Sequence, residues 1–138
     1  MARLLGIDPG SKRCGVALTD REESMAFPRP ALAANDQLVE RLRSLVDEER
    51  VELVVIGRPV ALSGNETAST QQADGLYELL VDALAPLPVV QWDERLTTHE
   101  AQRSLSEAGV KAKKHREHVD SAAAVIMLQS YMEGRRAQ

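Results

Sequence analysis

Leu4-Leu5-Gly6-Ile7 runs directly into Asp8-Pro9-Gly10-Ser11, and Gly15-Val16-Ala17-Leu18-Thr19-Asp20 follows within a few residues. The first run is short and apolar and ends in a strong turn signal, because Asp, Pro and Gly each favour turn backbone for a separate reason. The second places Val16 and Leu18 on one face, the alternation of a strand. Met25 to Leu32 reads as a third strand, although Pro28 and Pro30 cannot donate to a ladder and restrict it to a sheet edge or to irregular structure. Three short segments with brief connections predict an antiparallel meander.

Beyond this point the hydrophobic period changes. Leu38, Leu42, Leu45 and Val46 share one helical face, with Asn35 or Asp36 as N-cap. Leu53-Val54-Val55-Ile56 is an unbroken apolar run, as in a strand covered on both faces. Ala68 to Leu84 is helical again, with Ala73, Leu76, Leu80 and Leu84 as its buried stripe. Val89 to Trp92 forms the next strand. Thr97 and Glu100 make a capping box for a further helix that Gly109 ends. An Ala-rich helix closes the chain from about Asp120 to Glu133. The order predicts an α/β fold with a mixed sheet of about five strands, an antiparallel meander followed by parallel strands, flanked by helices. Parallel strands gather their carboxyl ends on one edge, where sites form.

Bulk properties narrow the function. A chain of 138 residues is the size of one domain, so residues 1–138 are expected to share one core. With a single cysteine, Cys14, neither an internal disulfide nor a cysteine-based zinc site can form. The first residues carry no long apolar region or small-residue cleavage site, and no apolar run approaches membrane-spanning length, so a cytoplasmic protein without membrane contact is expected. The formal net charge of −4 excludes coating of nucleic acid by the overall field; any polyanion binding must be local.

The acids fall at the ends of elements. Asp8 ends the first strand, Asp93 and Glu94 end the last, and Asp120 begins the closing helix. Carboxylates that converge repel one another and need a cation, and a hard divalent ion with oxygen ligands, Mg²⁺ or Mn²⁺, suits them. Such paired ions can activate a water and stabilise the leaving oxygen of a phosphodiester. Each acid also has a plain structural reading: Asp8 bonding its own turn, Asp120 capping its helix, Asp93 and Glu94 solvated at a strand exit. Strand alternation lets only one of Asp93 and Glu94 face such a site squarely.

Taken together, the segments carry a family resemblance. Leu5-Gly6-Ile7-Asp8-Pro9-Gly10-Ser11-Lys12-Arg13 with Gly15-Val16-Ala17 resembles the opening of the YqgF (RuvX) family, described as Holliday junction resolvases or pre-16S rRNA nucleases. Val54-Val55-Ile56-Gly57-Arg58-Pro59 with Gly64 is similar to that family's second motif, although Leu is common where Arg58 stands. Trp92-Asp93-Glu94-Arg95-Leu96-Thr97-Thr98 with Glu100-Ala101 is similar to the third, and Lys111 and Lys113 with Asp120-Ser121-Ala122-Ala123 to the last. The motifs come in family order over nearly the whole chain. The resemblance implies a ribonuclease H-like fold and a catalytic, metal-holding triad of Asp8, Glu94 and Asp120, with Glu94 preferred to Asp93 because related metal nucleases place a Glu there. Cys14 replaces the usual aliphatic residue, as a small buried hydrophobe can.

Lys111, Lys113, Lys114 and Arg116 form a cationic stretch that is either a solvated face or a phosphate grip leading into Asp120. Lys12, Arg13, Arg58 and Arg95 adjoin motif residues and are candidates for the same groove. With only four aromatics (one Trp, two Tyr, one Phe), base stacking is not the main grip. His99, His115 and His118 read as surface or capping residues, His118 being near enough to Asp120 in sequence to assist proton transfer.

Four functions follow in order. The first is a metal-dependent nuclease acting on structured RNA, an rRNA precursor in particular. The second is a junction resolvase acting on branched DNA, whose symmetric cuts need a homodimer where the first needs only a monomer. The third is a nucleotide-binding phosphotransferase, disfavoured by the lack of a second lobe and of a GxxxxGK[ST] loop. The last is a non-catalytic binding module.

Overall fold

The computed structural model describes residues 3–20, 25–61, 63–94 and 121–136. Within them the order is β1 (Arg3–Asp8), β2 (Arg13–Thr19), β3 (Ala26–Ala33), α1 (Leu38–Glu49), β4 (Val51–Arg58), α2 (Ala68–Ala83), β5 (Val89–Asp93) and α3 (Ala122–Arg136). The five strands form one sheet in the order β3-β2-β1-β4-β5. β1 pairs antiparallel with β2, and β2 antiparallel with β3, so the expected meander is present. β4 lies parallel to β1, and β5 parallel to β4. The carboxyl ends of β1, β4 and β5 therefore share one edge, which carries Asp8, Arg58 and Asp93.

Period-two alternation sorts the strands' side chains between two cores. Leu5, Ile7, Val16, Leu18, Val54 and Ile56 pack under α1 and α2 with Leu38, Leu42, Val46 and Leu80. Leu4, Ala17 and Val55 pack under α3 with Ala124, Val125, Leu128 and Met132. Val54, Val55 and Ile56 are wholly buried, which accounts for their unbroken apolar run. Gly6 faces α3, where a β-carbon would stand 3.0 Å from Leu128 Cβ. Cys14 belongs to the first core, and burial pushes its thiol pKa up.

Helix boundaries follow local chemistry. α1 is not capped by Asn35 or Asp36 as expected: Gln37 is the N-cap and makes no side-chain cap bond. Asn35 acts one step earlier, its Oδ1 accepting from Gln37 N–H at 3.0 Å and its carbonyl from Leu38 N–H at 3.1 Å. At α2 the Thr67 hydroxyl accepts from Thr70 N–H at 3.3 Å, while Thr70 Oγ1 accepts from Thr67 N–H at 2.9 Å, a reciprocal cap. α3 runs three residues beyond the expected Glu133. Its far end is pinned to β5, because Trp92 meets Tyr131 edge-on, with centroids 5.5 Å apart, and a β-carbon on Gly134 would stand 2.9 Å from Trp92 Cη2. The helix expected from Thr97 to Gly109 lies outside the described residues, and no helix among those described is long and apolar enough to cross a membrane.

Candidate functional site

The carboxyl edge brings two of the expected acids together. Asp8, the last residue of β1, and Glu94, just past β5, share a hydrogen bond across the end of β4. Alternation explains the choice between the neighbouring acids. Trp92 packs on α3, so Glu94, two residues on, faces the same side as Asp8, whereas Gln91 and Asp93 face α2. Gly57 supplies the room: a β-carbon there would stand 2.5 Å from Glu94 Oε1 and 3.2 Å from its Cγ. The β4 backbone is thus the floor on which the Glu94 carboxyl rests.

This placement has an electrostatic consequence. Burial first, then the hydrogen bond to Asp8, then the charges of Asp8 and Asp93 raise the Glu94 pKa from 4.5 to about 8. Two acids so disposed hold a proton between them or neutralise their charge with a cation. Their donors are all oxygen, which fits a hard divalent ion rather than a thiophilic one. Among the described residues no group of three or more acids, histidines or cysteines forms a metal cage. The third expected acid, Asp120, lies outside the described residues, as do Arg95, Lys111, Lys113 and Lys114.

The remaining candidates separate. Lys12, in the turn after Asp8, and Arg13, at the start of β2, are exposed. Arg58 points toward α2: its Nε donates to Asp74 Oδ1 at 2.9 Å and its Nη2 to Asp74 Oδ2 at 3.1 Å and Glu66 Oε1 at 3.2 Å. Gln91 Nε2 also donates to Asp74, at 2.7 Å. The Asp74 pair raises the Arg58 pKa, and the Arg58 bond in turn lowers that of Asp74. Arg58 thus fastens α2 to β4 and β5 with acidic partners on its fork.

Two further contributors lie outside the expected set. Gln72 Nε2 donates to the Gly10 carbonyl at 2.9 Å, tying α2 to the turn that follows Asp8. No local pattern signals that contact, which joins positions 62 residues apart. Gly57 stands in the sequence only as a letter of a motif. An isolated glycine in a strand signals close approach of another group, and here the group is Glu94.

Comparison with known proteins agrees with this layout. The sequence profile of RuvX, described as a Holliday junction resolvase, matches residues 2–134. A Cutibacterium acnes protein provisionally named pre-16S rRNA nuclease is 42% identical over 129 residues, covering 94% of this chain and 81% of its own. A similarly named protein from Mycobacterium sp. (strain KMS) is 44% identical over 138 residues, covering 98% and 82%. Among solved structures, Thermus thermophilus RuvC bound to a Holliday junction superposes with a TM-score of 0.64 at 16% identity, covering 100% of this chain and 98% of that one. The fowlpox virus Holliday junction resolvase gives 0.58 at 10% identity, covering 96% and 99%. These structural likenesses establish a ribonuclease H-like fold of the RuvC kind. The sequence matches, which run through every motif from the Asp8 turn to the closing helix, go further: the chain belongs to the RuvX (YqgF) family.

Proposed function

We propose that this chain, as one domain, is a divalent-metal-dependent nuclease that hydrolyses phosphodiester bonds in structured RNA, with a precursor of 16S rRNA as its substrate in the cytoplasm. The observation that carries this reading is the Asp8–Glu94 pair seated over Gly57 at the carboxyl edge of the sheet. Asp8, Glu94 and Asp120 would hold Mg²⁺ or Mn²⁺. When bound, the metal supplies an activated water and charge stabilisation for the leaving oxygen. The chain's own residues do the rest. Gly57 keeps the Glu94 carboxyl beside Asp8, and the raised Glu94 pKa keeps a proton on the pair until a cation replaces it. Lys12 and Arg13, with Arg95, Lys111, Lys113 and Lys114, grip phosphates along the backbone, a weakly sequence-specific mode. The test is incubation of purified protein with precursor RNA and Mn²⁺ or Mg²⁺ beside an Asp8→Asn variant. Cleavage by the wild type alone supports the reading, and equal cleavage by both proteins refutes it.

The family's description favours a second reading with the same chemistry on branched DNA. Symmetric cutting of a four-way junction requires a homodimer. A strictly monomeric protein in solution, or one that leaves junctions uncut while it cleaves RNA, removes this alternative.

A further inference from the structure

A cavity of about 360 Å³ opens between α1, α2 and the turn after Asp8. It falls at the low end of the range for small-ligand sites, about 300–1,000 Å³, with room for one compact group. Pro9, which directly follows Asp8, forms part of its wall with Leu38, Leu76 and Leu79. None of the described residues that line it is charged, in a chain whose residues are 28% charged. Such walls cannot offset the desolvation of a phosphate, so they suit a neutral occupant. The rim is polar, bordered by the carboxamides of Asn35, Gln71 and Gln72. Gln72 donates one N–H to the Gly10 carbonyl at 2.9 Å, which ties the rim to the Asp8 turn and leaves its other N–H and its oxygen. Gln71 is exposed, and its carboxamide makes no hydrogen bond among the described residues. Gly75 sets the opening. It lies in α2 one turn before Leu79, and a β-carbon on it would meet nothing within 4 Å. The same test at Gly6, Gly57 and Gly134 finds a side chain within 3.0 Å. Glycine inside a helix is disfavoured against alanine, and no packing at Gly75 requires it. What it leaves is open space over the cavity, beside a Leu79 that is 59% exposed.

We propose that this cavity is a subsite for one unpaired nucleobase of the RNA substrate, adenine above all, entered over Gly75. Pro9, Leu76 and Leu79 pack against the base, and the rim carboxamides bond its edge. Unpaired bases of RNA can be splayed out and read in this way. A carboxamide presents a donor beside an acceptor, the pattern that pairs with N6 and N7 of adenine. The proposal deepens the nuclease reading and rests on it. The subsite borders the turn that carries Asp8, Lys12 and Arg13, so a chain whose phosphates follow that turn brings a base to the cavity. The contact needs no aromatic side chain, in a chain that has four.

The experiment measures fluorescence anisotropy of the full chain, in EDTA so that nothing is cut, with two oligomers of equal length. One is oligo(A); the other is a ribose-phosphate oligomer without bases. It compares wild type, Gly75→Leu, which fills the opening, and Gln71→Leu, which removes a rim carboxamide. Thermal unfolding and cleavage of precursor RNA with Mn²⁺ are measured beside it. Wild type is expected to bind oligo(A) about 10-fold more tightly than the abasic oligomer, the scale of one bidentate base contact. Gly75→Leu should abolish that advantage and Gln71→Leu should reduce it, while affinity for the abasic oligomer and its salt dependence hold in both. Gly75→Leu should also raise the unfolding temperature, since leucine favours the helix where glycine does not. Equal binding of the two oligomers by a wild type that cleaves RNA, or an oligo(A) advantage undiminished in Gly75→Leu, overturns the proposal alone. Should Gly75→Leu fail to fold, Gln71→Leu decides by the same criterion. A wild type that neither binds oligo(A) nor cleaves precursor RNA overturns the nuclease reading, and this inference with it.

Discussion

Glu94 Oε1 occupies space that a β-carbon on Gly57 would enter, since that carbon would stand 2.5 Å away. Gly57→Ala therefore separates stability from activity. The colliding atom is the end of a flexible side chain, which can swing aside at little cost, and an alanine in a strand is otherwise favoured over glycine by about 0.5–1 kcal/mol. The unfolding temperature should stay at or slightly above that of the wild type. RNA cleavage should fall by roughly 100-fold, the scale on which a misplaced catalytic group is felt. A Gly57→Ala variant as active as the wild type would show that Glu94 is not needed beside Asp8.

The acid pair also makes stability depend on pH and on metal together. Glu94 titrates at about 8 in the folded chain against an ordinary value of 4.5. Its contribution to metal-free stability is fully present below the lower value and is lost as pH rises through the upper one, because ionisation beside Asp8 is opposed. A divalent cation removes that opposition. Thermal shifts caused by Mn²⁺ should accordingly be small near about pH 5 and grow toward about pH 8. Asp8→Asn should flatten this dependence, and differential scanning calorimetry at several pH values is the measurement. A metal-induced shift of the same size throughout would contradict the coupling of these two groups.

The cations of this edge call for separate tests. Arg58 is engaged by Asp74 and Glu66, so Arg58→Leu should lower the unfolding temperature only modestly, as befits a partly exposed ion pair. It should leave RNA affinity unchanged. Lys12→Ala with Arg13→Ala should instead weaken RNA binding and reduce the slope of log affinity against log salt by about 1–2. Titrations at several salt concentrations distinguish the two outcomes. A slope altered by Arg58→Leu and untouched by the double variant would reverse the assignment.

Leu128 tests the second core. It is wholly buried and lies against Gly6, and Leu128→Ala should cost about 2–5 kcal/mol in denaturant unfolding. A loss below about 1 kcal/mol would mean that α3 repacks onto β1 without it.

Much of this architecture is legible in the residues themselves, and the reason is periodicity. The change from the two-residue rhythm of Val16 and Leu18 to the helical spacing of Leu38, Leu42 and Val46 marks where the meander stops. The unbroken Leu53–Ile56 run announces a strand with helices on both sides. Alternation limits the site to one of Asp93 and Glu94, but which of them faces Asp8 depends on how Trp92 docks against Tyr131 and Gly134, a contact across nearly forty residues. The direction of Arg58 is illegible for a similar reason, because its acidic partners sit on or just before α2, a separate element. Ser121, whose hydroxyl accepts from Val16 N–H and donates to the Arg29 carbonyl where the β2–β3 register breaks, meets partners 105 and 92 residues away. Local pattern reports propensity and facing; it cannot report which distant group fills a gap.

Cys14 lies in the core under α1 and α2 with 1% of its surface exposed, and it is the chain's only cysteine. Burial holds the thiol in its protonated, unreactive form. Alkylating reagents and peroxide should therefore spare the folded protein, and cadmium or mercury ions should find no thiolate with which to poison it. A nuclease built this way would keep working through oxidative stress that silences thiol-dependent enzymes.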